Sequence, residues 1–391
     1  MKTIKSPRGR IIVTGMAVYL PMPGVVYQIL HYLIGLRRLG YDAYYVEDST
    51  RWVYDSIAED VVPDPAGNVG IVAGILDSHG FGSRWAFRNN HDEGWCYGLT
   101  EAQLCALYRD ADALLNVTGQ TLHEDQLACQ RRVYIESDPF ATQVRLHQGD
   151  AEERARLAAH DTFFTFGENI GAPDCGIPAT DFDWLPTRQP VDMELWQPPA
   201  RIAAGPRYTT ITSWVNHVES IVHDGEAYYW QKDREFETFL ELPHRSPASF
   251  ELASNGDDEV VRMLASHGWR HVPANEVAKD AHSYRAYVWG SRGEFTVARD
   301  QYVRPRTGWF SDRSACFLAA GRPVITQETA FSKFLPTGRG LFAFSTLDQI
   351  VAAVDSIETD YEAHSKAARE IAAEYFAAEK VIDSLMTRAR L

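Results

Sequence analysis

At 391 residues the chain exceeds one ordinary core and favours two domains, and its 45% hydrophobic and 23% charged residues exclude a disordered polymer. The formal net charge of −15 argues against a nucleic-acid binder, which needs a basic face, though it permits one small basic pocket. Five cysteines, odd in number and without a C-x-x-C pair, exclude a disulfide framework or zinc ribbon and suit a reduced, cytoplasmic chain.

The first predicted strand is the apolar run 10–15, RIIVTG; the basic residues before it are too weakly followed by apolar ones to make a signal peptide. A Pro/Gly loop, flanked by Gly15 and Gly24, leads into the amphipathic helix 25–40 and a second strand, 42–48, that ends in acids. Strand, loop, helix and strand within so short a span form a βαβ unit of a Rossmann-like sheet. In the loop 89–98, His91 stands beside Asp92, and a histidine held by a carboxylate suits a general base. Further along come a helix over 100–111, strands over 112–119 and 131–138, a helix over 151–160 and a strand over 161–171 that carries Glu168 and Asn169. The alternation predicts an open α/β sheet with functional loops at the strand C-termini.

Seven prolines between 172 and 206 and the loss of periodicity mark a joint. A second alternating series follows, with strands over 208–214, 249–255, 269–273 and 286–291, a helix over 257–268, and Glu294 in a loop at 291–298. It closes with a helix over 311–321, a strand over 322–327 and a helical tail from about 346 to 390. No segment approaches the roughly 18 apolar residues needed to cross a bilayer, so no stable membrane insertion is expected. Neither half carries G-x-G-x-x-G after its first strand, which disfavours a dinucleotide-dependent oxidoreductase.

The most informative stretch is TGWFSDRSACFLAAGRPVITQETAFSKFLPTGRGLFAFST, 307–346. Gly308 and small polar residues precede a short helix whose first amides, near Phe310, Ser311, Asp312 and Arg313, form an anion site with the positive end of the helix dipole. Arg313 adds a forked donor to a phosphate in this reading.

This segment resembles the GT-B glycosyltransferases, in which a helix followed by AxGxPVI grips a donor diphosphate. GWFSDRSACFLAAGRPVITQ and the N-terminal GVVYQILHYLIGLRRLGYDAYYVED are more closely similar to a bacterial group of family-1-like glycosyltransferases. The resemblance implies a GT-B fold of two Rossmann-like domains facing a cleft, with a C-terminal helix crossing back. It implies an acceptor domain over 1–175, a linker over 176–206, a donor domain over 207–370 and a returning helix over 371–391. The implied activity is transfer of a sugar from a UDP or dTDP donor, without metal or other cofactor, to an unidentified acceptor expected to be a small molecule; nucleic acid is set aside on net charge. Lys232 would neutralise the leaving phosphate, while Trp214, Val272 and Arg292 would meet the nucleotide. Gly15, Gly24, Glu168 and Asn169 would lie on the acceptor side. Many retaining members carry two glutamates in this segment; Cys316 and Trp309 stand in their places here, and Glu294 is the candidate substitute. Their loss keeps two alternatives in view, a non-catalytic sugar-nucleotide binder and an epimerase or hydrolase of the same fold.

Overall fold

The β-branched and aliphatic runs become strands because a parallel sheet covered on both faces buries every side chain. Ile11, Ile12 and Val13 are wholly buried, as are Leu114 and Leu115 beside them. The computed structural model describes residues 7–55, 60–89, 95–214, 218 and 220–391.

The strands of the first half are β1 (Arg10–Thr14), β2 (Asp42–Ser49), β3 (Val53–Asp55), β4 (Asp60–Val62), β5 (Trp85–Asn89), β6 (Trp95–Gly98), β7 (Ala113–Val117), β8 (Arg132–Glu136), β9 (Thr162–Thr165) and β10 (Trp184–Pro186). Eight of them build one sheet in the order β10-β9-β8-β7-β1-β2-β5-β6, parallel except at the β5–β6 edge. The second half contributes β11 (Arg207–Thr212), β12 (Ile221–His223), β13 (Glu226–Tyr228), β14 (Ser249–Ser254), β15 (Arg270–Pro273), β16 (Gly293–Thr296), β17 (Val324–Gln327) and β18 (Leu341–Phe344). Six of these form a wholly parallel sheet, β15-β14-β11-β16-β17-β18. No helix among the described residues is long and apolar enough to cross a membrane.

The helical tail is three helices, Leu347–Thr359, Tyr361–Tyr375 and Ala378–Arg388, and the last returns to the first half. It packs on the helix Pro23–Arg38 so closely that a Cβ on Gly35 would lie 2.5 Å from Ile382 Cδ1. Arg388 also donates to the Pro186 carbonyl at 2.6 Å. On another side the β12–β13 hairpin leans onto the first half, with the Phe140 and Tyr228 rings 4.6 Å apart and Gln148 donating to the Val222 carbonyl at 2.7 Å.

One segment departs from the sequence reading. Residues 286–291 are not a strand but the end of the helix Ala281–Gly290, whose start Asp280 caps by accepting from the Ser283 amide at 2.7 Å. That helix buries Tyr284, Val288 and Trp289 at helical spacing, and the strand falls instead on Gly293–Thr296. Glu294 therefore lies within a central strand, not in a loop.

Candidate functional site

In open α/β sheets ligands bind beyond the C-terminal ends of the strands. Here the ends of β8 and β16 and the start of the helix Asp312–Ala319 bring together Asp138, Lys232, Arg299, Asp312, Arg313 and Glu294.

The helix Asp312–Ala319 opens at Ser311, whose extended backbone (φ −77, ψ 136) places it as the cap, yet its side chain makes no capping hydrogen bond. The positive end of the dipole thus lacks its usual cap, with the Asp312 carboxyl in the first turn hydrogen-bonded to its own amide. Arg313 is turned inward. Its guanidinium donates to Glu294 Oε1 at 2.5 Å, to the Ile211 carbonyl at 2.6 Å and to Thr296 Oγ1 at 2.8 Å. The forked phosphate donor expected at Arg313 is therefore a structural arginine, because a carboxylate that is 0% exposed already holds it. Glu294 Oε2 remains buried without a hydrogen-bond partner.

Lys232 precedes the short helix Asp233–Glu237. Its ammonium forms no ion pair or hydrogen bond among the described residues. Burial first, and then the charges of Arg313 and Arg299, push its pKa well below the usual lysine value. Asp312 accepts from Gln28 Nε2 at 3.4 Å, and burial, followed by the Asp138 charge, pushes its carboxyl up to about 7. Lys232, Arg299 and Arg313 thus face the Asp138 and Glu294 carboxylates, and the third acid, Asp312, is about half ionised at pH 7. The cleft gathers basic side chains although the whole chain is acidic.

Other anticipated residues are placed differently. Arg292 stands just before β16, at the end of the sheet away from the crevice, paired with Glu358 at 2.6 Å and lying 3.6 Å above the Tyr361 ring. It cannot meet a nucleotide there. Trp214 is packed in the second core, stacked on Phe236 at 5.8 Å. Phe310 is also a core residue, stacked on Phe376 at 5.2 Å, so only its backbone faces the helix start. Val272 lies near the end of β15 beside Ala253, followed by the helix Ala274–Val277.

On the acceptor side, Glu168 is consumed by Arg188 at 2.5 Å, and Asn169 by the Arg306 carbonyl and the Lys333 ammonium. Asn169 thereby joins the two halves, while Glu168 ties to the connecting segment. Gly308 has φ +80, and a Cβ there would lie 2.5 Å from the Asn169 amide nitrogen, so only glycine lets these segments meet. Gly15 follows β1 against Ile29, and Gly24, in the first turn of Pro23–Arg38, has open space around it. His91 and Asp92 lie outside the described residues. Among the described residues no group of three or more His, Cys, Asp or Glu could hold a metal ion.

Sequence reasoning missed three contributors. Asp138 ends the strand predicted over 131–138, and the strand-end rule would have found it. Arg299 escaped because its strand was misplaced. Glu47, fully enclosed at the end of β2, accepts from the Val18 and Tyr19 amides at 2.7 Å and shapes the loop after β1. Burial pushes its carboxyl up to about 7 against the lowering effect of those hydrogen bonds. The acids closing the second strand were its only signal.

No protein-family model and no curated protein matches the chain. Among solved structures it is similar to an alpha-glucosyltransferase (AGT) in complex with UDP, with TM-score 0.61 and 8% identity over 98% of this chain and 100% of that one. Anabaena Alr3699/HepE in complex with UDP-glucose gives TM-score 0.55 at 10% identity over 98% of this chain and 100% of that chain. AviGT4, a glycosyltransferase involved in Avilamycin A biosynthesis, gives 0.53 at 10% over 98% and 97%. These neighbours are GT-B glycosyltransferases, and the fold of this chain is GT-B, with its C-terminal helix crossing back.

One expectation is overturned. The sequence points to a small-molecule acceptor and, on net charge, excludes nucleic acid, yet the alpha-glucosyltransferase of this same fold is seen in complex with UDP and a 13-mer DNA containing a HMU base, at TM-score 0.60 and 9% identity. Total charge averages over the whole surface and does not describe one cleft.

Proposed function

We propose that this chain is a glycosyltransferase that takes a sugar from a nucleotide-diphosphate donor, in the first instance a UDP-sugar, in the crevice between the two sheets. The donor side is residues 207–370 and the acceptor side residues 1–175, joined by 176–206 and tied by the helix beyond 371. The observation that carries this reading is the Lys232 ammonium, without an ion pair or hydrogen bond among the described residues, near the start of the helix Asp312–Ala319, whose N-cap side chain makes no capping bond. An anion there favours the charged form of the lysine, accepts from first-turn amides and needs no metal ion. The DNA complexes of the alpha-glucosyltransferase support a hydroxyl-bearing duplex as the first acceptor to assay.

Isothermal titration with UDP, dTDP and UDP-glucose, followed by turnover with and without duplex DNA containing hydroxymethyl bases, tests the proposal. Binding of a nucleotide diphosphate and faster sugar release with acceptor are expected. No affinity for any of them would end the reading. Turnover equally fast without acceptor would make the chain a hydrolase or epimerase. Cys316 and Trp309 favour a second reading, a non-catalytic binder, since the enclosed Cys316 thiol is pushed well above its usual pKa and supplies no carboxylate. Donor binding without turnover would establish it.

Donor affinity should also depend on pH. A diphosphate diester keeps its charge across neutral pH, so any change there reports the protein. Asp312, already raised to about 7 by burial and Asp138, is raised further by a neighbouring anion. Binding therefore takes up a proton, and affinity for UDP-glucose should fall as pH rises through about 7 and beyond. Asp312→Asn should reduce the slope around pH 7 in calorimetry between pH 6 and 9, leaving the part that Lys232, also depressed, contributes.

A further inference from the structure

We propose that Arg299 is a diphosphate-binding residue and that Asp138 is its resident counter-anion, surrendered when donor arrives. This rests on the donor site proposed above.

Arg299 directly follows the loop after β16, and its guanidinium carbon lies over the Trp230 ring, 3.6 Å from the ring centroid. It is aimed at the crevice. There it meets Asp138 Oδ1 at 2.5 Å, a residue of the opposite half and 161 positions away. The Tyr302 hydroxyl donates to the same oxygen, and Ser137 Oγ donates to Oδ2 at 2.7 Å. Burial raises the Asp138 carboxyl, but the Arg299 charge and these hydroxyls more than offset it and hold the pKa low.

Two features separate this pair from the buried one beside it. Arg313 and Glu294 are 14% and 0% exposed, whereas Arg299 and Asp138 are 23% and 39% exposed, so the second pair can be exchanged with solvent or ligand. Arg299 also shares its field with Lys232, which has no ion pair of its own among the described residues. Two basic groups therefore share the Asp138 carboxylate, and a diphosphate, with its two charges, matches them better than Asp138 does. Arg299 stays anchored through the exchange because its guanidinium is held over the Trp230 ring.

The two partners predict effects of opposite sign. Asp138→Asn removes the competitor while keeping its shape, so UDP should bind about tenfold more tightly. Arg299→Gln should weaken UDP by about tenfold or more. In the double variant the gain from Asp138→Asn should vanish, because no cation remains for it to release. The measurement is isothermal titration of UDP into the full chain, with melting temperature recorded for each variant. Weaker or unchanged UDP binding by Asp138→Asn would overturn the inference. So would an Asp138→Asn chain that no longer folds, since a carboxylate required for folding is not released in each cycle. If the wild type itself fails to bind UDP, the donor-site reading fails instead, and the two failures are told apart.

Discussion

Replacing Lys232 by alanine should lower sugar transfer by about 100- to 1000-fold while leaving the chain as stable as before, or more so. The two halves of that expectation come from one fact, that the ammonium has no ion pair or hydrogen bond among the described residues. An unpaired charge in a desolvated cleft costs stability, and the depressed lysine pKa records that cost, with burial its largest cause and the Arg313 and Arg299 charges next. Removing it therefore relieves the resting protein. The reacting complex loses a positive charge aimed at the diphosphate oxygen on which charge develops, and loss of one such preorganised donor costs about 10²–10³ in kcat. Steady-state kinetics and thermal melting on the same preparation check both. A fall in melting temperature with activity retained would return Lys232 to an ordinary structural role.

Arg313→Met should behave in the opposite way, destabilising the fold by about 3–5 kcal/mol, the range seen when one member of a buried ion pair is removed. Arg313 ties β16, the end of β11 and the helix Asp312–Ala319 together through three hydrogen bonds. Its loss strands Glu294, wholly enclosed and already short of a partner at Oε2. Adding Glu294→Leu should recover most of the loss, because the stranded charge goes with it. Denaturant unfolding of the wild type, both single variants and the double closes the cycle. A stable Arg313→Met protein with donor affinity lost would instead make Arg313 a ligand of the phosphate.

These two residues also divide what is local from what is not. The first βαβ unit, the helix after Gly308 and the strand Val324–Gln327 were legible because periodicity and Gly/Pro punctuation are read from neighbouring residues. The resemblance carried by 307–327 was enough to name the fold, since two parallel sheets with helices between them follow from such alternation.

Charge partners were not legible. Nothing near Arg313 announces Glu294, 19 residues earlier, and nothing near Asp138 announces Arg299, 161 residues later. The misplaced strand at 286–291 shows the same limit: AYVWGS has strand propensity, but Asp280 and the buried face of Tyr284, Val288 and Trp289 make it a helix. Local pattern was enough for the layers, the order of elements and the helix start at Asp312. Which basic side chain, among the described residues, stands free near that start came from the three-dimensional arrangement, because a long side chain is committed by whichever burial and counter-charge the distant chain brings to it.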